Sequence, residues 1–276
     1  MSVRTAFFIS DGTGITVEAF GAAMLKQFAI PIRQVRIPFV DSVDKVYQII
    51  KQINQTMETD GIKPIVFSTM ATPEVAKVLH DNVKALHFDM LKMIVDPLEK
   101  ELGMESNHYV GRFSDTAQSK SYQQRIEAIN YSLEHDDGQS SRNLEIADVI
   151  LVGVSRSGKT PTSIYLAMQY GIKAANYPLI PEDFERHTLP PALKEFRSKL
   201  FGLSIDPIRL SEIRNERRPG SRYADLLNCR EEVAAAEAMM RREGIRWLST
   251  TTKSIEEIAT TILQELKPDR LGTESA

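Results

Sequence analysis

The chain has 276 residues, 42% apolar and 26% charged, an ordinary globular composition that is long enough for two α/β units or one large one. A net charge of −3 supplies no global basic field for nucleic acid or an anionic membrane surface, and a single cysteine, Cys229, excludes an intrachain disulfide. The apolar run in MSVRTAFFIS is too short for a signal peptide and no segment approaches membrane-spanning length, so the expectation is a soluble, cytoplasmic protein without nucleic-acid or membrane partners.

Residues 3–9 read as a strand that ends in Ser10-Asp11-Gly12-Thr13-Gly14, before a helical run from Ile15 to about Phe28. The bland reading of SDGTG is a tight turn between strand and helix. Its hydroxyls and carboxylate also suit a second phosphate site at a helix start. Gln34–Val40 reads as the next strand, and residues from Ser42 to about Met57 as a helix with Val43, Val46, Ile49, Ile50 and Ile53 on one face. KPIVFS (63–68) is a third strand. Thr72-Pro73 then offers an N-cap and a proline at the first helical position, for a helix carrying Val75, Val78 and Leu79. Leu86–Asp89 is a fourth short strand, and Met90–Leu102 a helix that begins near Pro97 or is broken by it. Strands alternating with helices imply a doubly wound, mainly parallel sheet over residues 1–104.

Residues 105–145 form a connecting segment. Tyr122, Ile126, Ile129 and Leu133 make one apolar helical stripe that reads as packing, and the helix ends in His135-Asp136-Asp137-Gly138. Acidic groups at a helix C-terminus oppose its dipole, which makes Asp137 a candidate base as well as a solvated loop residue.

The apolar run Val149-Ile150-Leu151-Val152 leads into Gly153-Val154-Ser155-Arg156-Ser157-Gly158-Lys159-Thr160 and then a helix that stops at Gly171. Strand, loop and helix stand in the order a phosphate loop needs. Glycines at both ends let successive N–H groups face one concavity at a helix N-terminus, where anions are favoured. Lys159, on an exposed loop, would reach the terminal phosphate oxygens, and the Thr160 hydroxyl would hold Mg²⁺. Pro161 fits the first helical turn, and Ile164, Leu166, Ala167 and Met168 read as the packed face.

Ala174–Pro178 is a strand candidate, followed by a proline-containing loop to Pro191. KLFGLSID ends in Asp206, where a carboxylate at a strand end suits the metal shell and a helix start suits it equally. Arg214, Arg217, Arg218 and Arg222 flank Pro219-Gly220 and suit either a charge-neutralising lid or a solvated helix end. A long helix from about Arg222 to Arg242 offers Leu226, Leu227, Val233, Ala236 and Met240 for packing. Ile245–Thr250 reads as a last strand, and Ser254 with Glu257 as a capping box. The fold expectation is α/β: two doubly wound, mainly parallel-sheet units, the C-terminal one (146–276) carrying the phosphate loop. The five histidines lack close pairing, so no zinc site is expected.

SDGTGIT, RIEAINYSLEHDDG, GVSRSGKTPTSIYLAMQYGIKAANYPLI, KLFGLSIDPIRLSEIRNERR and SRYA, taken together and in order, resemble the bacterial family of regulatory kinase/pyrophosphorylases that act on pyruvate-handling dikinases. SRSGKT, AMQYGIKAANYPLI and RNERRPGSRYA are more similar to the branch acting on phosphoenolpyruvate synthase (pyruvate, water dikinase) than to the branch acting on pyruvate, phosphate dikinase. The resemblance implies a bifunctional enzyme. With ADP as donor it phosphorylates a threonine next to the target's catalytic histidine. With inorganic phosphate it removes that group again as pyrophosphate. The family's nucleotide-binding segment maps onto Gly153–Thr160. Lys159 is then a catalytic residue, Thr160 and Asp206 the metal candidates, and Asp11, Asp137 and Asp206 unranked candidates for the carboxylate that accepts the threonine proton. A homodimer fits such a domain pair. A small-metabolite kinase or a nucleotide-gated binding protein would share the loop, without the full-length resemblance.

Overall fold

The computed structural model describes residues 3–107, 120–136, 143–185 and 188–266, and the chain divides into two compact units, Met1–Asp115 and Thr116–Ala276. In the first, the elements run β1 (Arg4–Ser10), α1 (Ile15–Leu25), β2 (Ile32–Ile37), α2 (Val43–Asp60), β3 (Ile65–Thr69), α3 (Pro73–Asn82), β4 (Leu86–Asp89) and α4 (Met90–Leu102). The four strands pair in parallel in the order β2-β1-β3-β4. Alternate residues of β1 serve opposite faces. Phe7 and Ile9 pack with Val46, Ile50 and Ile53 of α2 and Leu79 of α3, while Ala6 and Phe8 pack with Val17 and Leu25 of α1.

The second unit begins with α5 (Lys120–Glu134) and continues β5 (Val149–Gly153), α6 (Lys159–Tyr170), β6 (Ala174–Pro178), α7 (Pro181–Glu185), β7 (Leu200–Ser204), α8 (Pro207–Arg217), α9 (Leu226–Arg242), β8 (Trp247–Ser249) and α10 (Ile255–Leu266). Its sheet is again all parallel, ordered β6-β5-β7-β8. Val149 and Leu151 bury against Leu166 of α6 and Ile258, Ala259 and Ile262 of α10. Ile150 and Val152 bury on the other face with Leu210 of α8 and Val233, Ala236 and Met240 of α9. The continuous apolar run of β5 is thus buried on both faces, as a central parallel strand requires. In each sheet the winding reverses beside the first strand, so the loop leaving that strand lies at the topological switch point, where doubly wound folds place ligands. Two parallel units are therefore observed as expected.

Several boundaries and faces differ from the sequence reading. β2 stops at Ile37, because Pro38 lacks an N–H and Phe39 takes φ 57°. α1 ends at Leu25, leaving Phe28 exposed. α4 runs straight through Pro97. The bond lost there is to the carbonyl of Met93, a residue 62% exposed, where water can take the carbonyl. Thr72 makes no side-chain cap at α3.

The largest difference is α5. Tyr122, Ile126 and Leu133 of its apolar stripe are exposed, and the helix buries Ala128, Tyr131, Ser132 and the following His135 instead. These small and hydrogen-bonding groups let α5 lie against α6 and β6, with Ser132 Oγ accepting from the Ala174 N–H at 3.3 Å. Met168 and Leu227 are likewise exposed rather than packed. The Ser254–Glu257 capping box forms as read, through Ser254 N–H to Glu257 Oε2 at 2.8 Å and Glu257 N–H to Ser254 Oγ at 3.2 Å. Among the described residues no helix is long and apolar enough to cross a membrane.

Candidate functional site

The loop between β5 and α6 has the shape its glycines demand. Gly153 adopts φ 152°, and a Cβ there would lie 2.1 Å from the Leu203 carbonyl of β7. Gly158 adopts φ 88° as the N-cap of α6, and no side chain caps that helix start. The first-turn amides of α6 therefore carry no side-chain cap, and an uncapped helix start can hold an anion. Lys159 is 3% exposed, contrary to the expectation of an exposed loop lysine, and its Nζ donates to the Val154 carbonyl at 2.8 Å. Ser157 Oγ is buried with no hydrogen-bond partner among the described residues.

Two elements hold the loop from outside. Thr250, just beyond β8, donates through Oγ1 to the Ser157 carbonyl at 3.2 Å and the Ser204 carbonyl at 3.1 Å. Arg214 of α8 is fully buried. It donates to the Ser155 carbonyl at 3.1 Å and the Tyr223 carbonyl at 3.0 Å, and pairs with Glu232 of α9 at 2.7 Å. Its guanidinium also stacks 4.1 Å from the Tyr223 ring centre, and the Tyr223 hydroxyl lies 2.9 Å from Ser155 Oγ. Arg214 is therefore an anchor beneath the loop, not part of a mobile lid, because a buried guanidinium whose two terminal nitrogens are held by carbonyls and a carboxylate cannot swing out. Arg217, Arg218 and Arg222 are exposed. Burial raises the Cys229 thiol pKa, against the opposing pull of Arg214, so this cysteine stays a thiol.

At the start of α6, Thr160 Oγ1 donates to Asp136 Oδ1 at 2.7 Å. Asn176 of β6 donates through Nδ2 to the same Oδ1 at 2.5 Å and to Thr160 Oγ1 at 3.0 Å. Asp136 is carried there by the end of α5, where His135 accepts the Asn176 N–H through its carbonyl at 2.9 Å and stacks on Tyr131 at 4.0 Å. The sequence reading pointed to HDDG but named Asp137, which lies outside the described residues. The signal for Asp136 was the motif; its register was settled by the β6 pairing. Asn176 carried no signal, being one polar residue in an apolar strand.

Asp206 lies two residues beyond the end of β7, and its Oδ1 accepts from the N–H groups of Ile208 and Arg209 at 2.9 and 3.0 Å, capping α8. It makes no hydrogen bond to Thr160. In the first unit, the loop 10–14 occupies the equivalent switch point. Gly14 adopts φ 75° as the N-cap of α1, and Thr13 is exposed. Ser10 Oγ accepts from the Gly12 N–H and donates to the Thr69 carbonyl. Asp11 Oδ2 accepts from the N–H groups of Ala71 and Thr72 at 2.6 and 3.1 Å, tying the loop to the turn that leads into α3.

Together these features define a doubly wound α/β protein with a glycine-rich loop, a buried lysine and a carboxylate-bound threonine where its second sheet reverses. The chain belongs to the kinase/pyrophosphorylase family, whose model matches residues 6–263, a description that denotes phosphotransfer enzymes. It is 68% identical over 268 residues to a protein of Acidovorax sp. (strain JS42), covering 97% of each chain. The identity is also 68% over 271 residues with a protein of Variovorax paradoxus (strain S110), covering 98% of this chain and 99% of that one. It is 66% over 272 residues with a protein of Albidiferax ferrireducens, covering 99% and 100%. Each of the three bears the name "Putative phosphoenolpyruvate synthase regulatory protein".

Proposed function

We propose that this protein is a bifunctional cytoplasmic regulator of phosphoenolpyruvate synthase. It phosphorylates a threonine of that target with ADP, inactivating it, and removes the group with inorganic phosphate, releasing pyrophosphate. The observation that carries this reading is the 153–160 loop, with its uncapped helix start and Lys159, in a chain of this family whose relatives bear that regulatory name.

In the forward direction the threonine oxygen attacks the β-phosphorus of ADP, the bond to the α,β-bridging oxygen breaks, and AMP leaves. The amides of Ser155–Thr160 and the Lys159 ammonium hold the transferred group and offset the charge that spreads over its oxygens. Mg²⁺, when bound beside Thr160, would offset negative charge on the phosphate oxygens. The oxygens gathered at Thr160 are hard donors, its own Oγ1, the Asp136 carboxylate and the Asn176 Oδ1 that lacks a hydrogen bond among the described residues, and they suit that cation. Asp11, Asp137 and Asp206 stand as the candidate acceptors of the threonine proton. In the reverse direction a phosphate oxygen attacks phosphothreonine and the threonine oxygen leaves with a proton. The loop Ser10-Asp11-Gly12-Thr13-Gly14 is the proposed seat of that phosphate. Arg217, Arg218 and Arg222, exposed beside the 219–220 turn, are proposed to close over the nucleotide. A homodimer is the proposed assembly.

Lys159→Ala tests the reading. It should lower ADP-dependent transfer by at least about 10²-fold, the cost of removing one preorganised charge from a transition state, with far-ultraviolet circular dichroism unchanged. Transfer at the wild-type rate would mean that the loop does not hold the phosphoryl group.

A further inference from the structure

We propose that Asp136, held by Asn176, is the carboxylate that completes a divalent-cation site at Thr160, a place for which the sequence offers Asp206 as a candidate. This rests on the reading of residues 153–160 as the seat of a nucleoside diphosphate.

The Thr160 hydroxyl has one proton and donates it to Asp136 Oδ1 at 2.7 Å. Asn176 Nδ2 occupies one acceptor position of Thr160 Oγ1 at 3.0 Å, leaving another for a cation. The same amide pins Asp136 Oδ1 at 2.5 Å, and Asp136 Oδ2 has no partner among the described residues. One further oxygen points to a missing positive partner. Asn176 is 2% exposed, yet its Oδ1 lacks a hydrogen bond among the described residues. Buried oxygens are rarely left so.

The donor set is oxygen only and carries one carboxylate, and among the described residues no group of three or more His, Cys, Asp or Glu could cage a metal. A site of this kind suits Mg²⁺ or Mn²⁺ shared with phosphate oxygens, since such cations are held by one or two carboxylates plus substrate phosphates. Asp206 is used differently. Its Oδ1 is committed to two amides of α8 and its backbone N–H to Thr251 Oγ1 at 2.8 Å, with no bond to the threonine. A carboxylate bonded to the loop threonine orients that ligand directly, which a helix cap does not.

The test measures Mn²⁺ binding to the full chain by electron paramagnetic resonance, with and without ADP, for wild type, Asp136→Asn, Asn176→Ala and Asp206→Asn. Thermal unfolding without metal or nucleotide serves as the folding control. ADP-dependent Mn²⁺ affinity should fall by about tenfold or more in Asp136→Asn, fall to a lesser degree in Asn176→Ala, and stay at the wild-type value in Asp206→Asn. ADP binding in metal-free buffer should survive in all four. Wild-type Mn²⁺ affinity in a folded Asp136→Asn, or a loss confined to Asp206→Asn, would overturn the assignment. Should Asp136→Asn fail to fold, an unchanged affinity in Asn176→Ala would overturn it in the same way. If wild type binds no ADP at all, the reading of the loop fails and the assignment falls with it. If ADP binds and only the Asp136 prediction fails, the loop reading stands.

Discussion

Arg214 shows how much one side chain decides at this site. It is fully buried, and its removal would leave Glu232 without its cation and take a donor from the Ser155 and Tyr223 carbonyls. Arg214→Ala should cost about 3–5 kcal/mol, the usual penalty for breaking a buried pair from one side. Urea unfolding measures this, and Arg214→Lys should recover only part, because an ammonium cannot fork between two carbonyls and a carboxylate. In the first unit, burial holds His87 below its ordinary pKa of 6.5, with Asp89 opposing and His80 reinforcing, while its Nε2 lies 2.8 Å from Ser68 Oγ. The unfolded chain then binds more protons than the folded one, so stability falls as pH drops from the ordinary histidine value through the depressed one. His87→Gln should flatten the midpoint-against-pH curve between about pH 7 and 5 relative to wild type. At this scale the positions of Lys159 and Thr160 at the start of α6 were legible from the loop spacing, whereas the burial of Lys159 was not. Arg214 was not, since a run of arginines reads as solvated until a carboxylate and two carbonyls surround one of them. Asp136 was missed by one residue, because the sequence HDDG does not say which aspartate the β6 register brings to Thr160.

The strand–loop–helix element β5–α6 is the best specified in the chain, with apolar strand, glycine-bounded turn and helix start all agreeing. Its weak point is Gly153. A methyl there would meet the backbone carbonyl of Leu203 at 2.1 Å, an atom that cannot turn aside as a side chain could, so β5 and β7 would have to separate. Gly153→Ala should destabilise the protein by about 1–3 kcal/mol and weaken ADP binding, read by thermal unfolding and calorimetric titration. Stability and ADP affinity equal to wild type would show that the close approach of the two strands is not needed. Most strands and helices were legible from period and caps. The capping box at Ser254 formed as read because both of its partners are local. The exceptions are elements whose fate depends on distant partners. α5 turned a face of Ala128, Ser132 and His135 inward since β6 supplies hydrogen bonds to it, and hydrophobic spacing cannot register those bonds. α4 kept Pro97 because its solvent-facing side tolerates one missing backbone bond.

The whole molecule presents one strand order twice, β2-β1-β3-β4 and β6-β5-β7-β8, and each sheet sends a glycine-rich loop from its first strand into a helix that opens on a left-handed glycine. The recurrence of strand, loop and helix was visible in sequence; the shared strand order was not, because crossovers leave no local trace. The two loops differ in what their side chains do. In the first, Asp11 is spent on the amides of Ala71 and Thr72; in the second, Asp136 reaches the loop threonine from another element. That contrast favours the second unit for the proposed phosphoryl transfer from ADP. The most direct measurement incubates the purified protein with phosphoenolpyruvate synthase, and separately with pyruvate, phosphate dikinase, using ADP labelled on the β-phosphate. Label should appear on a threonine of phosphoenolpyruvate synthase alone and leave as pyrophosphate when inorganic phosphate is added. No label on phosphoenolpyruvate synthase, with the nucleotide nonetheless bound, would contradict the account.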